Sequence, residues 1–327
     1  MTQSGAGAPG PVQFYAEVFD AVTANVARVL EGKDEPVRLT LMCMAAGGHV
    51  LLEDVPGVGK TTLAKALAHS LGLEWHRIQF TPDLLPSDVT GVNIFEREQG
   101  SFRFRPGGVF ANILLGDEIN RASPKTQAAL LEAMQEGQVT VDSTSHALPS
   151  PFLVIATQNP VEHAGTYPLP EAQLDRFLLR IGIGYPAHDA EVAMLARHGT
   201  GPDVDHLPAI VEPSAVLALM RVTSQIHVAD AIKHYIVHLA EATRTHPSLV
   251  LGMSPRAALA LQQVARARAA SLGRTYVIPD DVKALREPVL GHRLKLTPAA
   301  RATGTTVSNA IDDVFLSVPT PTGDGFR

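Results

Sequence analysis

The sequence predicts an α/β domain with a parallel sheet, followed by a smaller domain made only of helices. Short apolar runs typical of buried strands alternate with segments of helical periodicity as far as residue 198. The composition then shifts to Gly, Pro, Asp and His over residues 199–213, and the segment 214–296 shows helical periodicity alone. A chain of 327 residues accommodates about two domains at roughly 100–200 residues each.

These changes in pattern set the expected boundaries. We expect the α/β domain at residues 12–198, a linker at 199–213 and the helical domain at 214–296. Residues 1–11 and 297–327 are rich in small or turn-forming residues, so we expect two tails, with the last seven residues disordered. Within the helical domain, helices are expected at 214–226, 230–246, 254–272 and 279–290.

Two helices precede the first strand, because apolar residues recur at helical spacing over residues 14–30 and 34–46. The apolar run 49–52 is the first strand, and the helix that follows it ends before Gly72. The other elements of this domain follow in alternation. Strands are expected at 75–80, 112–115, 152–156 and 177–184, and helices at 124–136 and 170–176.

A hairpin is expected between the second and third of these strands. Residues 92–95 and 101–105 are strand-like and are joined by a polar turn that ends in Gly100. Two phenylalanines alternate with two arginines in the second arm, so one face is apolar and the other basic. Two interpretations stay open: an amphipathic surface hairpin, or a loop directed at a partner or a pore.

The loop after the first strand has the composition of a phosphate-binding cradle. It reads Asp54, Val55, Pro56, Gly57, Val58, Gly59, Lys60, Thr61 and Thr62. A strand, a glycine loop and a helix N-terminus in this order direct backbone N–H groups at a polyphosphate. Lys60 can reach the terminal phosphates and the Thr61 hydroxyl can hold Mg²⁺. Asp54 stands where the strict pattern G-x-x-x-x-G-K-[ST] has its first glycine.

Two adjacent acids, Asp117 and Glu118, follow the apolar run of the strand at 112–115. Ligands of open parallel sheets bind outside the carboxyl ends of the strands, which places both acids next to the cradle. Asp117 can hold Mg²⁺ largely through water, and Glu118 can orient the water that attacks the phosphate. The alternative is a solvated turn of two acids.

Asn159 and Arg176 are further candidates, because each lies at one end of an expected strand. The Asn159 amide both donates and accepts, so it can link a phosphate to the attacking water; the alternative is an ordinary Asn-Pro turn. Arg176 can act as an arginine finger across a subunit boundary. The alternative for Arg176 is an ion pair with Asp175 or Glu171 of the same chain.

Arg256 is expected in the first turn of a helix of the second domain, because Ser254 is a suitable N-cap and Pro255 suits the first helical position. A cation gains nothing from the helix dipole there, so a phosphate across the domain cleft is the expected partner. The alternative is an exposed arginine. Arg121 lies near the same acids, and the sequence assigns it no role.

The composition argues against several other classes of protein. The net charge of −6 gives no electrostatic footprint for nucleic acid, and the 13 histidines show no spacing that requires a metal site. No run of about 18 apolar residues occurs, so no membrane-spanning helix is expected. The start of the chain lacks the pattern of a signal peptide, and the single cysteine, Cys43, lies in an apolar stretch as a core thiol would. We therefore expect a cytoplasmic protein.

Taken together, these motifs resemble those of AAA+ ATPases and, within that superfamily, those of the MoxR family. The resemblance covers residues 12–295, and in it an Asp at position 54 is usual. Its most specific parts are residues 51–61, 81–91, 116–137, 156–160 and 167–177. It implies a P-loop nucleotide-binding domain with a helix-2 insert hairpin at 91–106 that lines a central pore, and a C-terminal all-helical lid.

The resemblance also implies roles for the candidate residues. Asp117 and Glu118 look like the Walker B pair, Asn159 like sensor 1, Arg176 like the arginine finger and Arg256 like sensor 2. The implied activity is Mg²⁺-dependent ATP hydrolysis by a homo-oligomer, commonly a hexamer.

In this family, hydrolysis is thought to drive chaperone-like remodelling, maturation or activation of partner complexes, including cofactor insertion. The implied partner is a protein client, with a von Willebrand factor A-type domain protein as one possibility. Two alternatives stay open: a nucleic-acid-dependent motor, and a nucleotide-gated scaffold without turnover.

Overall fold

The fold is taken from a computed structural model, which describes residues 10–159, 166–196 and 203–322. Its strands, in chain order, are β1 (Val50–Glu53), β2 (Trp75–Gln79), β3 (Gly91–Glu96), β4 (Ser101–Pro106), β5 (Ile113–Asp117), β6 (Gln138–Val141), β7 (Thr144–Ala147), β8 (Leu153–Gln158), β9 (Leu179–Ile181), β10 (Leu249–Leu251) and β11 (Lys295–Leu296). Its helices are α1 (Pro11–Ala27), α2 (Asp34–Ala45), α3 (Lys60–Ser70), α4 (Pro86–Thr90), α5 (Pro124–Glu136), α6 (Glu171–Leu174), α7 (His188–Ala196), α8 (Pro213–Gln225), α9 (Asp230–Thr245), α10 (Pro255–Ser271), α11 (Pro279–Ala284), α12 (Arg286–Leu290), α13 (Pro298–Ala302) and α14 (Val307–Ser317).

The central sheet has five strands in the order β2-β5-β8-β1-β9, and all of its pairs are parallel. The strands β5 and β8 are buried along almost their whole length, as expected for a sheet with both faces covered. Glu53 lies opposite Gln158, and Gly116 lies opposite Ala156. The predicted parallel α/β domain is confirmed, and its strands end at one common edge.

Helices cover both faces of this sheet. The larger core packs one face, including Leu52 and Ile155, against α1, α2 and α3, and continues without a break into the helical C-terminal domain. The smaller core packs Leu114 and Val154 on the opposite face against α5. Cys43 is a buried thiol, as its apolar surroundings predict. The helical domain is confirmed, and both domains share one continuous core.

Two hairpins extend from the α/β domain. The pair β3–β4 is the predicted hairpin, whereas β6–β7 was not predicted. The Nδ2 of Asn93 donates to Asp142 at 2.8 Å, and the rings of Phe104 and His146 stack with centroids 3.7 Å apart. Phe102 is 72% exposed, so the outer end of β3–β4 presents an apolar side chain to solvent.

The C-terminal segment differs from the predicted tail, because α13 and α14 follow residue 297. Thr306 caps α14, and Ala310, Ile311 and Val314 are buried in the larger core. These three apolar positions on one face hold the short helix against the core. The helical periodicity was not recognised in the sequence, because Thr and Gly residues surround the helix. Residues 323–327 lie outside the described residues.

Part of the expected linker packs against the α/β domain. Asn25 donates its Nδ2 to the carbonyl of Pro208 at 3.0 Å, the N–H of Ile210 donates to the Ser70 carbonyl at 2.8 Å, and Leu207 is buried. Residues 1–9 of the expected N-terminal tail and 199–202 of the linker lie outside the described residues. In the described parts of the chain, every helix is too short or too polar to cross a membrane.

His49 fixes the start of β1 and makes stability depend on pH. Its Nδ1 accepts from the Val154 N–H and its Nε2 lies 3.0 Å from the Met134 carbonyl, an arrangement that a neutral ring satisfies. Burial lowers the pKa of His49 to about 4, against about 6.5 for an exposed histidine. The folded state therefore resists a proton that the unfolded chain accepts, and stability present above pH 6.5 is lost as the pH falls towards 4.

We predict that His49→Gln makes stability less sensitive to acid. Between pH 7 and pH 5, the wild-type protein should lose about 2 kcal/mol more than this variant. Urea unfolding at both pH values measures the difference. His238→Gln, at an exposed position on α9, is the control and should behave as wild type. Equal acid sensitivity of wild type and His49→Gln would contradict the assignment.

Candidate active site

The cradle forms between β1 and α3 because two glycines adopt backbone angles that other residues avoid. Gly57 has φ +85° and Gly59 has φ +99°, and Gly59 is the N-cap of α3. A Cβ at Gly59 would lie 2.8 Å from the Cδ1 of Leu30, which would have to shift to make room for it. At Gly57 a Cβ would meet no described atom within 4 Å. The loop is thus open on the side of Gly57 and packed on the side of Gly59.

Lys60 begins α3, and its Nζ donates to the carbonyl of Asp54 at 2.5 Å. Partial burial lowers the pKa of Lys60, and the carboxylates of Asp54, Asp117 and Glu118 act in the opposite direction. These acids therefore lie close enough to Lys60 for their charges to act on it. The predicted meeting of the cradle lysine with the acids after β5 is present in the structure.

Asp54, at the position of the expected glycine, joins the cradle to the chain after β9. Its Oδ1 accepts from the Val55 N–H at 2.8 Å, and its Oδ2 accepts from the N–H groups of Ile183 at 2.8 Å and Gly184 at 2.5 Å. A glycine could make none of these three bonds. The irregular residue of the motif is therefore a structural link between two segments distant in sequence.

Lys33 completes this link from the other side. Its buried Nζ donates to the carbonyls of Ile183 and Gly184, each at 2.9 Å, and of Tyr185 at 2.7 Å. Asp54 thus accepts hydrogen bonds from the N–H groups of the segment after β9, and Lys33 donates hydrogen bonds to the carbonyls of the same segment. Charge-assisted bonds of this kind are stronger than neutral ones, so the segment beside the cradle is firmly held.

Thr157 orders the two acids at the end of β5. Its Oγ1 donates to Asp117 Oδ1 at 2.6 Å and accepts from the N–H of Glu118 at 2.9 Å. Glu118 has φ 57°, a left-handed conformation that is uncommon outside glycine. The Thr157 bond holds Glu118 in this conformation, and strain of this kind is found where the surrounding structure fixes a side chain for function.

Residues of the neighbouring strand β2 also contact the acids. Arg77 lies 2.6 Å from Asp117 Oδ2, and Gln79 donates its Nε2 to Glu118 Oε2 at 2.8 Å. Arg121 pairs with the same Glu118 oxygen at 3.2 Å, which gives this arginine a place at the site. The sequence did not indicate Arg77, Gln79 or Thr157. These residues become apparent only from the register of the strands, which sets Gln79 of β2 opposite Asp117 of β5.

Asn159 follows β8 at the same edge of the sheet and is 7% exposed. The N–H of Asp54 donates to the carbonyl of Gln158 at 3.3 Å, so the start of the cradle is bonded to the residue before Asn159. The cradle, the acid pair and Asn159 therefore occupy the ends of three adjacent strands. Pro160, the next residue of the predicted motif, lies outside the described residues.

Arg176 and Arg256 lie together, at the other end of the sheet. Both line a pocket of about 380 Å³ whose wall includes Gly48 and His49, which directly precede β1. The cradle directly follows β1, and a four-residue strand spans roughly 13 Å at about 3.3 Å per residue. That Arg256 meets a phosphate across a cleft stays a prediction. Within its own chain, Arg256 lines the same pocket as Arg176, at the end of β1 opposite the cradle.

The two acids that were alternative partners for Arg176 are bound elsewhere. Asp175 Oδ1 accepts from Arg293 Nε at 2.7 Å, and Glu171 pairs with Lys295. Across residues 10–159, 166–196 and 203–322, no hydrogen bond or ion pair involves the guanidinium of Arg176 or of Arg256. Arg176 is half-buried and Arg256 is exposed, so both remain available at the pocket.

The residues present fit a nucleotide with Mg²⁺. The open side of the glycine loop, the start of α3 and Lys60 together suit a polyphosphate. The Thr61 hydroxyl and the Asp117 carboxylate are oxygen ligands, the kind that Mg²⁺ prefers in combination with water and phosphate oxygens. Groups of three or more possible metal ligands are absent from the described residues, and Mg²⁺ needs only one or two protein ligands when phosphates supply the rest.

Comparison with known families agrees with this geometry. Residues 49–179 match the family model described as "ATPase family associated with various cellular activities (AAA)", and residues 241–314 match the AAA lid domain. The first range contains the cradle, the acid pair and Arg176, and the second contains Arg256 together with most of α14. The fold and the site thus define an AAA ATPase module with its lid, and the lid match extends beyond the expected end at 296.

The relatives identify the branch. The chain is 42% identical to "Chaperone MoxR1" of Mycobacterium tuberculosis, over 91% of this chain and 81% of the relative. It is 33% identical to "Protein MoxR" of Methylorubrum extorquens, over 91% and 93% respectively. The chain belongs to the MoxR family of AAA+ ATPases.

Two further proteins show that the likeness covers the whole fold. An uncharacterized protein of Bacillus subtilis, YeaC, is 48% identical over 91% of this chain and 93% of its own. A crystal structure of a candidate ATPase from Cytophaga hutchinsonii superposes with a TM-score of 0.89 at 38% identity, covering 95% of this chain and 97% of the other.

We predict that Asp54→Gly weakens the protein although it restores the strict glycine pattern. The variant loses three hydrogen bonds to a carboxylate, so we expect a loss of roughly 1–3 kcal/mol in unfolding free energy and weaker ATP binding. Thermal unfolding and titration with ATP measure both effects.

Glu53→Gln is the matched control. It removes the neighbouring acid, whose ion pair with Arg180 at 3.0 Å is partly exposed, and should cost about 0–1 kcal/mol. If Asp54→Gly is as stable as wild type and binds ATP as tightly, the bonds from Asp54 to Ile183 and Gly184 contribute neither to stability nor to ATP binding.

Proposed function

We propose that this protein hydrolyses ATP with Mg²⁺ and uses the energy for chaperone-like remodelling of partner proteins. The observation that carries the proposal is the meeting, at one sheet edge, of a phosphate cradle with an ordered pair of acids. Membership of an AAA ATPase family supports the reaction, and the name of the Mycobacterium tuberculosis relative supports the chaperone role.

In this proposal each residue at the edge has one task. Lys60 and the loop N–H groups bind the phosphates, while Thr61 and Asp117 hold Mg²⁺, which neutralises phosphate charge when bound. Glu118 orients and polarises the attacking water, and its fixed backbone aims the carboxylate. Asn159 links the terminal phosphate to that water.

Arg77, Gln79 and Arg121 are bonded to the two acids in the structure. Two of these partners are cations, so in this arrangement part of the negative charge of the acids is already compensated. For Asp117 to hold Mg²⁺ and for Glu118 to engage water, their oxygens must be shared with, or released by, these side chains. This exchange is a property of the chain's own residues and precedes any chemistry.

The two arginines complete the site of a neighbouring subunit. Arg176 and Arg256 lie beyond β1 from their own cradle, yet both are available at one pocket. A guanidinium supplied by a neighbour stabilises the charge of phosphoryl transfer, which makes hydrolysis depend on assembly. We therefore propose a homo-oligomer, with a hexamer as the expected closed ring.

The client is proposed to be a protein complex that this ATPase matures or activates, with cofactor insertion as one possible outcome. The hairpin β3–β4, with Phe102 exposed at its outer end, is the surface proposed to meet the client at a central pore. A von Willebrand factor A-type protein is the proposed partner, and the cytoplasm the proposed compartment. DNA or RNA that stimulated turnover would favour a nucleic-acid motor instead.

We predict that Glu118→Gln binds ATP as tightly as wild type but hydrolyses it at least about 100-fold more slowly. General-base contributions to the rate are on the order of 100- to 10,000-fold. Release of phosphate and ATP titration measure the two properties. Glu132→Gln, an exposed acid on α5, is the control and should keep full turnover. Undiminished hydrolysis by Glu118→Gln would remove Glu118 from its role, and absence of turnover by wild type at every concentration would favour a scaffold.

We predict that Lys60→Ala and Arg176→Ala, each inactive alone, regain activity when mixed. A mixed oligomer places the intact cradle of one variant beside the intact arginine of the other, at about a quarter of sites for random mixing in a ring. Turnover is measured after the subunits exchange. Lys60→Ala mixed with Glu118→Gln is the control, because both changes lie in the cradle half and should not complement. Equal behaviour of the two mixtures would contradict a shared site.

A further inference from the structure

One carboxylate connects the two parts of the chain that carry Arg176 and Arg256. Asp175, directly before Arg176, accepts from Arg293 Nε at 2.7 Å through Oδ1 and from Ser254 Oγ at 3.3 Å through Oδ2. Ser254 is the N-cap of α10, and Arg256 lies in the first turn of that helix. Asp175 therefore bonds its own turn to the start of the helix that carries the second arginine.

The side chain of Arg293 also bonds the backbone that follows the turn of Arg176. Its guanidinium donates to the carbonyls of Phe177 at 2.6 Å, Leu178 at 3.0 Å and Val289 at 2.5 Å. His292, the residue before it, lies with Nε2 3.0 Å from the same Phe177 carbonyl. Two consecutive lid residues thus fix the chain that leads from Arg176 into β9.

Arg293 is the buried centre of this cluster, and Asp175 is partly buried beside it. The side chain of Arg293 is 3% exposed and that of Asp175 is 23% exposed. A buried guanidinium is tolerated only when its donors are matched, and here they reach a carboxylate and four carbonyls, the fourth being that of Asp175 itself at 3.4 Å. Because breaking one partner leaves the other charge unpaired, the cluster has one favourable arrangement rather than several.

We propose that Asp175 is a positioning residue that locks Arg176 and Arg256 into one two-arginine unit, which each subunit presents to the nucleotide of its neighbour. Arg176 belongs to the α/β domain and Arg256 to the lid, and the bond from Ser254 to Asp175 joins the turn of the first to the start of the helix that carries the second. Asp175 itself does not contact the substrate. The inference rests on the proposed action of Arg176 across the subunit boundary.

The energetic reason for such a link is the sensitivity of catalysis to position. A displacement of about 1 Å in a group that contacts the reacting atoms can reduce the rate on the order of 100-fold. Asp175 can position both arginines, because it bonds both to the lid core and to the helix that carries Arg256. Its Oδ1 accepts from Arg293, and its Oδ2 accepts from Ser254, the N-cap of α10. Its removal breaks the bond between the turn of Arg176 and the start of α10 without deleting either arginine.

The test uses Asp175→Asn in the full-length protein, with turnover, KM for ATP and ATP affinity as readouts. We expect kcat to fall about 10- to 100-fold, with KM and ATP affinity within about twofold of wild type. Glu171→Gln is the matched control, since it makes the same charge change four residues earlier at the exposed pair with Lys295. It should leave kcat unchanged. A wild-type kcat for Asp175→Asn would overturn the inference.

Mixed oligomers locate the defect. Asp175→Asn subunits should regain turnover when mixed with Lys60→Ala subunits, which supply an intact arginine unit, and should not regain it with Arg176→Ala subunits. A merely structural defect would weaken ATP binding in the altered subunit's own cradle, and complementation by neither partner would then overturn the inference. If Lys60→Ala and Arg176→Ala fail to complement each other, the shared site itself is wrong.

Ser254 provides a second variant should Asp175→Asn fold poorly. Ser254→Ala removes the bond to Asp175 together with the capping bond from the Ala257 N–H, but leaves the buried pair of Asp175 with Arg293, whereas Ser254→Thr keeps the hydroxyl. We expect kcat to fall in the alanine variant and to be restored in the threonine variant, at similar ATP affinity. The same kcat in both variants would show that the hydroxyl does not position Arg256.

Discussion

The site depends on the backbone pairing of β1 with β8 on one side and β9 on the other. At its carboxyl end, β1 leads into the cradle, and its pairing with β8 brings Asn159 beside the cradle. At its amino end lies the pocket that contains Arg176 and Arg256. One strand therefore separates the cradle from the two arginines within a single subunit. If both act on one nucleotide, as proposed, neighbouring subunits must meet head to tail, a contact that forms a ring when its rotation closes.

The parts of the site that sequence alone predicted are those formed by neighbouring residues. The cradle needs only a strand, two glycines and a helix start, and Asp117 with Glu118 needs only a strand end. Thr157, Gln79 and Arg77 could not be found in this way, because their contacts follow from the register between strands. Register depends on which residues pair across the sheet, and a single sequence contains no direct record of that pairing.

Arg256 shows the same limit for helices. The cap by Ser254 and the first-turn position were predicted and are confirmed, since both are set by consecutive residues. The place of the helix was not predicted, because it depends on how α10 packs into the larger core. The helix α14 was missed for a related reason: its stability comes from the surface that α9 and α12 offer, and not from its own sequence.

The edge strand β9 is held at both ends by charged groups, and this relates the two halves of the site within one chain. At its amino end Arg293 and Asp175 fix the turn that carries Arg176, and at its carboxyl end Asp54 accepts from Ile183 and Gly184. The strand between them is three residues long and is bonded to β1 throughout. A shift of the cradle at Asp54 must therefore either move this strand, and with it the turn of Arg176, or break charge-assisted bonds.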